Sequence, residues 1–180
     1  MQNATPTSFP VLTTPRLILR QPSEIDASVI SALRSNEQVN QYIDRSKHTS
    51  IQEAKRFIVK VNNGVKEGKS LYWVMSLKNS LKLIGTICLW NFSADRTVAE
   101  VGYELDPAFH GQGYMSEALQ CIVAYGFDVL HLSTIEAFTH RDNIASIQLL
   151  TKHGFRLEAD RSDADNEHNA IYTLQAMISK

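Results

Sequence analysis

VAEVGYELDPAFHGQGYMSEALQCIVAYGFDVL, residues 98–130, is the stretch that decides the fold. Its first part, Val98–Leu105, reads as a strand, and Asp106-Pro107 stops it because proline cannot donate to a ladder. His110-Gly111-Gln112-Gly113 is a loop. A helix follows to about Leu130, since Leu119, Ile122, Val123, Phe127 and Leu130 recur at helical spacing. A strand, a glycine loop and a helix start, in that order, make a place for an anion. The first turn of a helix leaves backbone N–H groups without partners, and the macrodipole makes that end partly positive. Glycine removes the side chains that would hold a phosphate away. Taken alone, Gly-x-Gly before a helix is more often only a tight turn. Two nucleotide motifs are excluded. There is no Gly-x-x-x-x-Gly-Lys-[Ser/Thr], and the third glycine of Gly-x-Gly-x-x-Gly is replaced by Ser116.

Working outward, the flanking segments lack the alternating rhythm of a doubly wound sheet. Arg16–Arg20 suggests a first strand. Pro22 and Ser23 break it, and Ser23 is placed to cap a helix near Glu24–Ser35. Ser50-Ile51-Gln52-Glu53 has the capping-box pattern. The helix it opens sets Ala54, Phe57, Ile58 and Val61 on one face, with Gly64 or Gly68 to close it. Leu71–Leu77 and Leu83–Trp90, joined by Lys78-Asn79-Ser80, read as a hairpin. Beyond the central helix come a strand at Thr134–Thr139 and a short helix opened by Asn143. His153-Gly154 ends that helix, with glycine a natural cap. Phe155–Leu157 and Ala170–Ile178 read as closing strands. The expectation is one α+β domain over residues 11–180, preceded by a flexible tail over 1–10. Its sheet is mixed and mostly antiparallel, with about seven strands and about four flanking helices.

Composition narrows the function classes. A formal net charge of -1, with 18 Lys and Arg against 19 Asp and Glu, lacks the basic footprint of a general nucleic-acid binder, and no direct nucleic-acid binding is expected. No apolar run approaches the ~20 residues of a membrane span. The N-terminus has no signal-peptide pattern, so a cytoplasmic protein is expected. Cys88 and Cys121 lie in apolar runs and read as buried free thiols. The histidines form no His-x-His or His-x-x-x-His pair, so no metal is expected. Oligomeric state is not legible.

The chain resembles the GNAT superfamily of acetyltransferases, and within it the RimJ/RimL type that acetylates ribosomal-protein N-termini. The resemblance runs nearly end to end. It is carried by Leu12–Arg20, Leu83–Ile87, Ala99–Leu105 and Gly111–Ala118, then by Asn143, Ser146 and His153-Gly154-Phe155, in that order and spacing. The family's loop reads Arg/Gln-x-x-Gly-x-Gly/Ala, and this chain departs from it at His110 and Met115 while keeping Gly113. The resemblance implies acetyl-CoA as co-substrate. Backbone around Gly111, Gln112, Gly113, Tyr114, Met115 and Ser116 would hold its pyrophosphate, pantetheine would lie along the strand ending at Leu105, and Asn143 would touch the cofactor. It also implies transfer of an acetyl group to a primary amine, most readily a protein or peptide α-amine such as the N-terminus of a ribosomal protein. The alternatives are a small amine (polyamine, amino acid or aminoglycoside) and a CoA-binding module without catalysis.

Acetyl transfer needs a base for the amine and a donor for the departing thiolate. An α-amine, with a reference pKa of about 7.7–8.0 against about 10.4 for Lys, needs less help. Glu100 and Glu104 share a face if their strand is regular, and a bulge of the kind the family has there would separate them. Either could relay a proton through water, though a surface or salt-bridged Glu is the commoner reading of each taken singly; of the two, Glu100 is favoured because it lies farther from the phosphate end and nearer the acceptor. Ser146, in the first turn of its helix, is the candidate acid, a role the resemblance supports; a Ser merely satisfying the helix start is an equal reading. Asp165 and His168 are weaker acceptor-site candidates. Trp73 reads as core, and Trp90 as a residue able to line an acceptor groove.

Overall fold

The computed structural model describes residues 8–177. Eight strands form one sheet: β1 (Leu12–Thr13), β2 (Leu17–Arg20), β3 (Leu71–Leu77), β4 (Leu83–Trp90), β5 (Val98–Leu105), β6 (Thr134–His140), β7 (Arg156–Leu157) and β8 (Asn169–Gln175). Their order is β1-β2-β3-β4-β5-β6-β8-β7. Every neighbouring pair is antiparallel except β5 with β6. The parallel pair is joined by α4 (Tyr114–Asp128), as a parallel connection requires. The other helices are α1 (Ala27–Ser35), α2 (Glu37–Asn40), α3 (Ile51–Lys66) and α5 (Ile144–Lys152). The expected α+β class and mixed sheet are found, with one strand and one helix more than expected.

The departures have local causes. Glu24–Asp26 is a 3-10 turn rather than α-helix. The Asp26 carboxylate accepts from the Ser23 N–H at 2.8 Å and from both Arg20 Nη atoms at 2.7 and 2.8 Å, so the chain is pinned before α1 begins. The helix α2 has one turn, too short for a periodic signal, and is started by Asn36, whose side chain accepts from the Val39 N–H. Ser50 caps α3 as its pattern indicates. Gly68, at φ 68°, closes that helix, whereas Gly64 lies inside it. Ile178 of the last expected strand and residues 1–7 of the expected tail lie outside the described residues. The Phe9 ring packs tilted against Trp73 at 5.5 Å, and the Trp73 indole N–H donates to the Pro10 carbonyl at 2.8 Å, so the segment before β1 is held to the core.

The sheet separates two apolar clusters. The larger joins Leu17, Trp73, Ile87, Val101, Leu119, Ile122 and Ile135, placing α4 across the sheet centre. Trp73 is fully buried there, as expected. On the opposite face, Ala27, Ile30 and Leu33 of α1 meet Ala54 and Ile58 of α3 over Val74 and Leu83.

Candidate active site

β5 and β6 pair only over Val98–Glu100 and Thr134–Glu136. Beyond those residues β5 stays paired with β4, and β6 with β8, but not with each other. Val101–Leu105 and Ala137–His140 therefore line opposite walls of a groove of about 1100 Å³ that cuts through the sheet. One strand edge on each wall keeps peptide groups available for an extended ligand. The groove is bordered by Gln38–Asp44, around the end of α2, on one side of the sheet, and by the starts of α4 and α5 on the other.

The glycine loop forms one end. Gly111 and Gly113 have φ of 70° and 78°, left-handed values that favour glycine, and both are exposed. Gly113 caps α4 without a side-chain acceptor. The N–H groups of Tyr114, Met115 and Ser116 find no acceptor among the described residues. Arg16 braces the loop: it donates to the Gln112 carbonyl at 2.9 Å, pairs with Glu117 at 2.7 Å and lies over the Tyr114 ring at 4.3 Å. The two departures from the family pattern leave the loop open. Met115 turns into the main core, and His110 bonds back to the Leu105 carbonyl at 3.1 Å. Of the loop residues singled out in the sequence, Gln112 alone does not line the groove.

The pairing of β5 with β4 runs without a shift from Glu100 to Leu105, so the bulge that would separate the two carboxylates is not found. Glu100, Gly102 and Glu104 thus share the face toward α1–α3. Their environments differ. Glu104 is buried and its Oε2 lies 2.6 Å from Nη2 of Arg45, which follows α2. Glu100 is half-buried and is held by long contacts to Asn91, at 3.5 Å, and to the Trp90 indole. Burial first, then the negative charges of Asp163 and Glu136, push the Glu100 carboxyl up to about 7, despite those hydrogen bonds. Trp90 is 45% exposed and lines the groove beside it.

Residues of opposite parity face α4 and α5. Tyr103 Oη lies 2.7 Å from Ser146 Oγ. Burial raises the Tyr103 phenol to about 12, so at neutral pH it keeps its proton and can donate to Ser146. Asn143 caps α5, its side-chain oxygen accepting from the Ser146 N–H at 3.1 Å. Asn143 and Ser146 both line the groove. Asp165 lines it as well. His168 stacks at 5.6 Å on His140, a lining residue.

The sequence reading named neither Tyr103, Arg16 nor Arg45 as a site residue. Alternation along β5 could have indicated Tyr103, whereas Arg16 and Glu117 are 101 residues apart and no local pattern links them. Both cysteines are free and partly buried, and burial pushes the Cys88 thiol up to about 12. Among the described residues no group of three or more His, Cys, Asp or Glu could hold a metal.

A sheet opened between two parallel strands, with a bare helix N-terminus at one end of the opening, defines a protein built to lay a phosphate-bearing ligand across its strands. The model of the acetyltransferase (GNAT) domain matches residues 16–156, and the chain belongs to that family as an N-acetyltransferase. It is 38% identical over 150 residues to YoaA, an uncharacterized N-acetyltransferase of Bacillus subtilis (strain 168), covering 83% of this chain and 85% of that one. Its fold is similar to that of ribosomal-protein-S5-alanine acetyltransferase from Vibrio fischeri, with a TM-score of 0.80, 20% identity, and 95% and 99% of the two chains covered. It is also similar to RimL, a ribosomal L7/L12 α-N-protein acetyltransferase in complex with coenzyme A. There the TM-score is 0.77 at 23% identity, with 93% and 97% covered.

Proposed function

We propose that this N-acetyltransferase moves the acetyl group of acetyl-CoA to a protein or peptide N-terminal α-amine, of the kind ribosomal proteins present. The observation that carries the reading is the single groove joining the bare N–H groups of Tyr114–Ser116, the Tyr103–Ser146 hydroxyl pair and Glu100. The residues fit CoA. The backbone donors suit its pyrophosphate, and the unpaired edges of Val101–Leu105 and Ala137–His140 suit the amides of pantetheine. The acetyl thioester supplies the electrophile.

The chain's own groups then divide the work. Glu100, on the face toward α2, takes the proton of the incoming amine, directly or through water. Ser146, on the other face, donates to the departing sulfur, with its hydroxyl oriented by Tyr103. Asp44, Asp163 and Asp165 line the groove on the acceptor side, and the one Lys or Arg among its described lining residues, Arg161, is already paired with Glu136, which suits a cationic amine in its resting form. The fold likeness to α-N-protein acetyltransferases supports the α-amine as acceptor.

The test is acetyl transfer from acetyl-CoA to peptides with free or blocked N-termini, alongside polyamines and aminoglycosides. Turnover is expected on free α-amines and is expected to vanish when they are blocked. Equal turnover on blocked, lysine-containing peptides would reject the α-amine. Turnover confined to polyamines or aminoglycosides would assign a small acceptor, and CoA binding without transfer to any of them would assign a binding module.

A further inference from the structure

Ser116 Oγ and His153 Nε2 lie 2.7 Å apart, joining the first turn of α4 to the end of α5. Ser116 lines the groove, and its backbone N–H is one of the three bare donors. His153 does not line the groove; it follows α5 and bonds its own N–H back to Leu149 and Leu150. We infer that His153 is a positioning residue for the pyrophosphate site, fixing the Ser116 hydroxyl as a second kind of donor beside the backbone amides. The inference rests on the CoA reading above.

A serine hydroxyl has one proton and two lone pairs, and a neutral imidazole is a donor at one nitrogen and an acceptor at the other. If Nδ1 carries the proton, Ser116 must donate to Nε2, and its oxygen then turns lone pairs toward the groove, where they repel a phosphate. If Nε2 carries the proton, His153 donates to Ser116, and the serine proton is released toward the groove. An anion on the loop favours the second arrangement. It then meets the N–H and O–H of one residue together, a charge-assisted pair. Burial, and after it the charge of Lys152, lowers the His153 pKa, so near neutrality the choice lies between the two neutral tautomers.

The test reads the tautomer directly. In long-range proton–nitrogen spectra of histidine-labelled protein, saturating CoA is expected to place the His153 proton on Nε2. A proton on Nδ1 with CoA bound overturns the inference. His153→Phe and Ser116→Ala are each expected to weaken CoA about tenfold, the double variant no further, and His153→Gln to retain affinity because its amide still donates. Turnover of S-acetylpantetheine, which lacks the pyrophosphate, is expected to be unchanged in His153→Phe. Equal losses with S-acetylpantetheine and acetyl-CoA would make His153 a packing residue and overturn the inference. The two failures are distinguishable. A parent protein that binds no CoA rejects the cofactor reading and this inference together. A parent that binds CoA at the glycine loop, with the His153 proton on Nδ1, rejects this inference alone.

Discussion

At the scale of single residues, Glu100 carries a cost that the proposed role as base would explain. A carboxyl held near pH 7 binds its proton in the folded state over a range where the unfolded chain has released it. Between about 4.5 and about 7 the folded state therefore binds more protons, and stability falls as pH rises through that window. Glu100→Gln removes the penalty. The variant is expected to melt higher than the parent at pH 8, by ~1–2 kcal/mol after allowance for solvent screening, and to melt alike at pH 4. Its activity should move the other way. Below about 7 the parent's carboxyl is protonated and gives no help, and above the α-amine range of about 7.7–8.0 free amine is abundant. The rate deficit of Glu100→Gln should be greatest between those limits, up to ~10²-fold, and shrink on both sides. Thermal melts and a pH–rate profile check both. A variant less stable at pH 8, with a pH-independent deficit, would make Glu100 a structural residue.

At the scale of elements, the glycine loop and α4 act as one unit, and Gly113 is where a side chain hurts most. Its φ of 78° is strained for other residues, and an added Cβ would lie 3.4 Å from Nη2 of Arg16. Gly113→Glu puts a carboxylate at the proposed phosphate site and next to that guanidinium. CoA affinity should fall more than ~100-fold, while the fold survives with a loss of ~1–2 kcal/mol from the left-handed backbone. Titration calorimetry and circular dichroism measure the two; CoA bound as tightly as by the parent would place the phosphates elsewhere. This unit was legible in the sequence because strand, turn and helix each leave a local periodic mark. The same holds for the hairpin of β3 and β4 and for the Ser50 cap of α3. The one-turn α2 and the two-residue β1 are shorter than any period. The clamp of Arg16 on Gln112 and Glu117 and the meeting of Tyr103 with Ser146 are tertiary facts, set by which strands lie adjacent. Glu100 and Glu104 were legible as a pair on one face, but not as one carboxyl with its pKa raised by burial and one already spent on Arg45.

At the scale of the molecule, the two faces of the sheet contribute different halves of the site. The α4 and α5 face supplies the glycine loop and the hydroxyl pair, backed by the larger apolar cluster. The α1–α3 face supplies the wall around α2, backed by the smaller cluster. A polar chain crosses from that wall to the sheet. The Asn40 amide donates to the Arg34 and Asn36 carbonyls at 3.0 and 2.7 Å, Arg45 Nε donates to Asn40 Oδ1 at 2.6 Å, and Arg45 pairs with Glu104 on β5. Both partners of that last link are largely buried, and Glu104 Oε1 has no hydrogen-bond partner among the described residues. Replacing only the cation leaves an uncompensated buried carboxylate, so Arg45→Met is expected to cost ~3–5 kcal/mol at neutral pH. Removing both charges is gentler, because Gln at position 104 needs no counter-ion, and Arg45→Met/Glu104→Gln should recover most of that loss. The double variant should still bind CoA like the parent, since the phosphate loop lies on the other face. Its KM for the amine should rise, because the wall around α2 loses its tie to β5. Urea denaturation of the parent, single and double variants, with KM measured separately for each substrate, decides the matter. A double variant no more stable than the single, or one that loses CoA and amine affinity alike, would show that the pair does not join the acceptor wall to the sheet.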